Sequence, residues 1–167
     1  MRRILFAVGV TTAAVLTVSA LALAGKATIN DPNESNIKDC QDGKVVKGKS
    51  TSDKTTFTIT MYGKASAKPC KGDVKPSLSV DINNNGFFDP GECAVGKDPI
   101  SGKTGVFCGG KKKGKANITA DGKVWTISFH TSDLKHHKSK FGFIAHLFGP
   151  KAGDEMPDSG LKTIKIG

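Results

Sequence analysis

Short runs that alternate polar and apolar residues dominate this chain, and they restrict its fold more than any other feature. Residues 56–62 put Phe57, Ile59 and Met61 on one face. Residues 77–82 do the same with Leu78, Val80 and Ile82. Trp125, Ile127 and Phe129 line one face of residues 123–130, and Phe141, Phe143, Ala145 and Leu147 line one face of the next run. Val106 and Cys108 mark a short strand, and residues 161–166 a terminal one. A period of two is the signature of a strand with one buried face. Gly, Pro, Asn and Asp separate the runs, as turns require. Residues 132–136 could form one helical turn at most. The pattern predicts an all-β fold, an antiparallel β-sandwich.

The chain starts Met1-Arg2-Arg3, and an apolar run follows from Ile4 to Ala24. It ends Ala22-Leu23-Ala24-Gly25, with small residues where a signal peptidase cuts. Residues 1–24 read as a secretory signal peptide, which places the mature chain outside the cytoplasm. The rival is an uncleaved anchor, but the many Ala, Thr, Ser and Gly residues make the run a poor permanent span. Residues 25–36 are polar and read as a flexible segment, leaving residues 37–167 as the β-sandwich domain. Cys40, Cys70, Cys93 and Cys108 all lie in the mature part. An even count in a small exported chain predicts two disulfides. Three connectivities are open; pairing near neighbours along the chain favours Cys93–Cys108 and Cys40–Cys70.

Residues 81–92 read Asp-Ile-Asn-Asn-Asn-Gly-Phe-Phe-Asp-Pro-Gly-Glu. Oxygen donors fall at loop positions 1, 3, 5, 9 and 12, and a glycine falls at 6. That spacing suits Ca²⁺, a hard cation that takes oxygen ligands. Asp81, Asn83 and Asn85 can each give a side-chain oxygen, and Phe87 its backbone carbonyl. Asp89 can act through water, and Glu92 can bind with both oxygens. Gly86 allows the sharp turn. The bland alternative is an Asn/Asp/Gly turn that binds nothing. The run resembles the calcium loops of EF-hand and dockerin proteins, and those inserted in secreted bacterial adhesin repeats. In that family an apolar residue at position 8, here Phe88, anchors the loop to the core. The resemblance covers only these residues. A strand precedes the loop and Pro90, Gly91 and Pro99 follow it, so no pair of helices flanks it. A rigid calcium-clamped insertion at a sheet edge is expected rather than a helix-opening sensor.

A second resemblance is broader and looser. A strand, Thr131-Ser132-Asp133-Leu134, an aromatic strand, then Gly153-Asp154-Glu155-Met156-Pro157-Asp158-Ser159-Gly160 is similar to exported bacterial β-sandwiches of the family-9 carbohydrate-binding type. It implies the same fold and carbohydrate as one class of partner.

Charge narrows the partners. The formal charge is +10, and loss of Arg2 and Arg3 with the leader makes it +8 (10 − 2). The mature chain then has lysine but no arginine. Arginine supplies the planar fork that reads guanine edges, so sequence-specific nucleic-acid recognition is not expected. Lys111-Lys112-Lys113-Gly114-Lys115 and Lys135-His136-His137-Lys138-Ser139-Lys140 could attract an anionic cell-envelope polymer, or simply be solvated. His130 and His146 occupy polar positions of two strands and could be neighbours. Trp125, Phe141, Phe143 and Phe148 read as core, and the Phe87 ring as projecting. No nucleophile elbow, His-Glu-x-x-His or phosphate loop occurs. The acidic turn Asp154, Glu155 and Asp158 is the weak candidate for hydrolysis. The reading is therefore non-enzymatic: a secreted, calcium-stabilised domain, or a calcium-dependent module for carbohydrate or an anionic envelope surface.

Overall fold

The structure is a computed structural model, and it describes residues 24–35, 37–64, 75–97, 102–135, 139–148 and 153–167. Residues 1–23 of the leader, Cys70 and part of the second lysine cluster lie outside these residues. The strands are β1 (Gly25–Asn30), β2 (Gly43–Ser50), β3 (Lys54–Met61), β4 (Lys75–Asp81), β5 (Cys93–Lys97), β6 (Thr104–Cys108), β7 (Lys111–Gly114), β8 (Ala116–Asp121), β9 (Val124–His130), β10 (Lys140–Phe148), β11 (Gly153–Met156) and β12 (Lys162–Lys165). Two antiparallel sheets result. One has the order β1-β2-β3-β9-β8; the other has β11-β10-β4-β5-β6-β7. β12 and β11 share one edge of β10 in series, the first against residues 140–143 and the second against residues 145–148. The described part of the expected helical turn, residues 132–135, holds no α-helix; a short 3₁₀ turn, Thr131–Asp133, stands there. Among the described residues no helix is long and apolar enough to cross a membrane.

One buried cluster collects the inward residues of both sheets: Phe57, Ile59 and Met61 of β3, Ile127 and Phe129 of β9, Leu78 and Val80 of β4, and Phe141, Phe143, Ala145 and Leu147 of β10. Alternation predicted these faces, because one face of each strand must leave water. Phe57 and Phe143 meet across the cluster with ring centroids 4.6 Å apart. Gly48 of β2 lies under Phe57, and a Cβ there would sit 2.8 Å from its ring.

Three expectations need correction. Gly25–Asn30, inside the stretch read as flexible, is a strand paired to β2 along its full length. Ala27 and Ile29 turn inward, but two apolar positions are too short a pattern to separate from chance. Phe148, expected inside, is 53% exposed, at the outer end of β10. Phe88, expected to anchor its loop, is 42% exposed. In its place Ile82, at the loop's second position, is buried against the core.

The lysines of β7 have a plain structural use. β7 is the outer strand of its sheet, and it consists of Lys111, Lys112, Lys113 and Gly114. Lysines on an edge strand repel a second copy that would otherwise add to the sheet.

Candidate metal centre

β4 delivers Asp81 to the edge of the core, where it is 1% exposed. The chain then turns through Asn84 at φ 54° and Gly86 at φ 93°. Asn tolerates this left-handed backbone better than most residues, and glycine adopts it freely. The turn brings the ends of the twelve-residue run together. Asp81 Oδ2 accepts the N–H of Gly86 at 2.8 Å, and Oδ1 that of Asn85 at 3.3 Å. Glu92 Oε2 accepts the N–H of Ile82 at 2.5 Å, and Oε1 accepts from Asn83 Nδ2 at 2.9 Å. Asn85 Nδ2 donates to Asp89 Oδ2 at 2.6 Å, and Asn85 Oδ1 accepts the N–H of Phe87 at 2.9 Å. Asp81, Asn83, Asn85, Asp89 and Glu92 are thus joined by hydrogen bonds within one loop. The Phe87 ring is 70% exposed, in line with its expected projection.

Two details bear on a cation. Asn83 Oδ1 is buried and accepts no hydrogen bond; a buried acceptor without a donor is costly and suits a metal. The Glu92 carboxyl is pushed up, first by burial and then by the charges of Asp81 and Asp89, against the lowering effect of its bonds to Ile82 and Asn83. Carboxylates also retain lone pairs after accepting one N–H each. The donor set fits calcium in kind: hard oxygens, carboxylate at both ends, an amide oxygen left free.

The loop's exit is fixed covalently. Cys93 follows Glu92 and is bonded to Cys108, its direct partner across β5 and β6. Gly109 N–H also donates to the Glu92 carbonyl at 3.1 Å. The other expected bridge, Cys40–Cys70, involves Cys70, which lies outside the described residues. At the far side, Thr163 Oγ1 donates to Asn84 Oδ1 at 3.2 Å.

His130 and His146, expected as possible neighbours, lie in different sheets, the first in β9 and the second in β10. His130 Nδ1 lies 3.7 Å from Asp53 on an open surface. His146 has a richer setting that sequence reasoning missed. Its Nε2 is 2.8 Å from Ser79 Oγ, its Nδ1 is 3.2 Å from Glu155 Oε1, and its ring stacks on Phe148 with centroids 5.1 Å apart. Ser, His and a carboxylate in this order resemble a nucleophile with its base. The backbone of Ser79 is paired on both sides, to Ala94 of β5 and Ile144 of β10. The three side chains form a polar row across β4, β10 and β11.

Burial lowers the His146 pKa, while Glu155 opposes the shift. The folded protein therefore binds this proton less readily than the unfolded chain does. Stability from His146 is complete above about pH 6.5 and falls as pH drops toward the folded value. His146→Gln should flatten this loss. Thermal melts at pH 7.5 and 5.5 will show a smaller difference for the variant than for the wild type; equal differences would remove His146 as the cause.

The acidic turn is also rearranged. Asp154 is buried, while Glu155 is exposed and faces His146. Asp154 Oδ2 accepts the N–H of Gly43, across 111 residues of sequence, at 2.7 Å. Asp31, Asp154 and Asp158 each bring one oxygen within 4.8 Å of the others. Neither Asp31 nor Asp42, which stands beside them, carried any local signal, since each sits in an ordinary polar run.

No protein-family model matches this chain, and no curated protein matches it.

Proposed function

We propose that this is an exported, non-enzymatic β-sandwich with two disulfides, whose 81–92 loop binds one structural Ca²⁺. The observation that supports this is that Asp81 and Glu92, the first and last donors of the run, are both held by N–H groups of the same loop, in which the buried Oδ1 of Asn83 has no donor. Asp81, Asn83, Asn85, the Phe87 carbonyl, Asp89 and Glu92 are the ligands. The ion neutralises the three carboxylates of the loop, where burial and then the charges of Asp81 and Asp89 already push the Glu92 carboxyl up. It stabilises the fold by mass action, because the unfolded loop does not preorganise the donors. At an extracellular-type Kd of about 10⁻⁴–10⁻³ M, about 10 mM calcium contributes roughly 1.4–2.7 kcal/mol.

Asp81→Asn and Glu92→Gln test the reading. Calcium should raise the melting temperature of the wild type more than that of either variant. In chelator the variants should match the wild type or exceed it. A calcium response unchanged by both substitutions would reject the loop as the site.

The exposed pair Phe87 and Phe88 supports a second reading, in which the clamped loop is also a binding surface. Flat rings beside an ordered loop suit a carbohydrate face, and the lysines suit an anionic envelope polymer. A glycan array and a liposome pull-down, with and without calcium, will separate these. Loss of retention in Phe87→Ala supports the rings, and loss in high salt supports the lysines.

A further inference from the structure

Four aspartates converge where the two sheets meet at one end. Asp31 follows β1, Asp42 precedes β2, Asp154 lies in β11, and Asp158 lies in the bend after β11. Asp31, Asp42 and Asp154 are 6%, 0% and 2% exposed. Each keeps one carboxylate oxygen buried without any hydrogen-bond partner: Oδ2 of Asp31, Oδ1 of Asp42 and Oδ1 of Asp154. The other oxygens of Asp42 and Asp154 are anchored, to the N–H groups of Glu34 at 3.0 Å and Gly43 at 2.7 Å. The side chains are thus held by the backbone on one side and left open on the other. Gly43 is required for this approach: a Cβ there would lie 2.2 Å from Met156 Sδ and 3.1 Å from Asp154 Oδ2.

Such an arrangement is expensive unless a positive charge is added. A carboxylate taken from water without a partner loses several kcal/mol of solvation. The neighbourhood makes this worse. Every influence on Asp31 is unfavourable to its charge: burial first, then Asp154, Asp158, Glu34 and Asp42, and together they push its pKa up to about 7. Burial pushes Asp154 up to about 6, and the Gly43 N–H only partly offsets it. The geometry meets a simple limit. Oxygens that share one Ca²⁺ at 2.3–2.6 Å cannot be more than about 5 Å apart, and those of Asp31, Asp154 and Asp158 lie within 4.8 Å of one another.

We propose that Asp31, Asp154 and Asp158, with Asp42 behind them, form a second divalent-cation site that clamps the β1–β2 hairpin to β11. All donors are hard oxygens, so Ca²⁺ is the fitting ion among the common divalent metals. The ion does at the sheet junction what a disulfide would do: it ties chain segments more than a hundred residues apart. The site is independent of the 81–92 loop and shares no ligand with it.

Calcium titration of the purified full chain by calorimetry tests this. The Asp81→Asn/Glu92→Gln double variant removes the loop site and should still bind one Ca²⁺. Adding Asp154→Asn, which keeps an acceptor for the Gly43 N–H, should abolish that remaining binding. Asp158→Asn changes an exposed residue, leaves folding intact, and should weaken the remaining binding at least tenfold. Terbium gives a local readout. Tyr62, the one tyrosine of the chain, donates its O–H to the Asp31 carbonyl at 2.9 Å. Tyrosine-sensitised Tb³⁺ emission should survive the loop double substitution and need at least tenfold more Tb³⁺ once Asp158→Asn is added. Silence of the double variant toward both ions, while the wild type binds one, would overturn the second site and leave the loop standing. Unchanged binding in the loop variant, with loss in Asp158→Asn, would do the reverse.

Discussion

Phe143→Ala will lower the unfolding free energy by about 3–5 kcal/mol. The residue is fully buried in β10, and its ring meets Phe57 of the other sheet at 4.6 Å. Truncation removes the ring's transfer energy and leaves a void that the paired strands cannot close, because β10 is held by β4 on one side and by β11 and β12 on the other. For a chain of this size the loss corresponds to roughly 10 °C or more in Tm. Phe143→Leu should recover part of it, since leucine refills some of the void that alanine leaves. Melts of the two variants against wild type will measure this. A loss below about 1 kcal/mol for Phe143→Ala would mean that the two sheets do not share a common core.

Cys93→Ser with Cys108→Ser is the second large effect. The bridge spans 15 residues, and a loop of that length contributes about 3 kcal/mol by restricting the unfolded chain. The consequence reaches the loop as well. Cys93 is covalently next to Glu92, and Gly109, next to Cys108, donates to the Glu92 carbonyl. Releasing the bridge lets Glu92, the last of the proposed calcium donors, move. Ordering one residue costs about 1–2 kcal/mol, so calcium affinity at the loop should fall about tenfold. Denaturant unfolding gives the first quantity and calorimetry the second. A stability loss with unchanged calcium affinity would separate the disulfide from the metal.

Local pattern made much of this architecture legible. The alternating runs around Phe57, Leu78, Ile127 and Phe143 became β3, β4, β9 and β10, the strands that supply most of the core. The less legible strands are of two kinds. β2 is rich in lysine and glycine, with Val46 as its buried aliphatic residue. β7 and β8 lie at sheet edges and bury almost nothing. Such strands form because a neighbour offers free backbone partners, not because their side chains demand burial. Phe88 and Phe148 were misplaced for a related reason: an apolar residue near the end of an element is not obliged to face inward.

The twelve-residue run, the alternating faces and the near-neighbour cysteines are properties of contiguous chain, so sequence alone determined them. Their physical basis is local: a strand turns every second side chain the same way, and a loop's donors lie a few residues apart. The convergence of Asp31, Asp42, Asp154 and Asp158, and the row from Ser79 through His146 to Glu155, were decided only by tertiary structure. Both depend on which strands pair and in which register. That choice is made by burying the common core, and a shift of one residue would turn these polar groups to the opposite face.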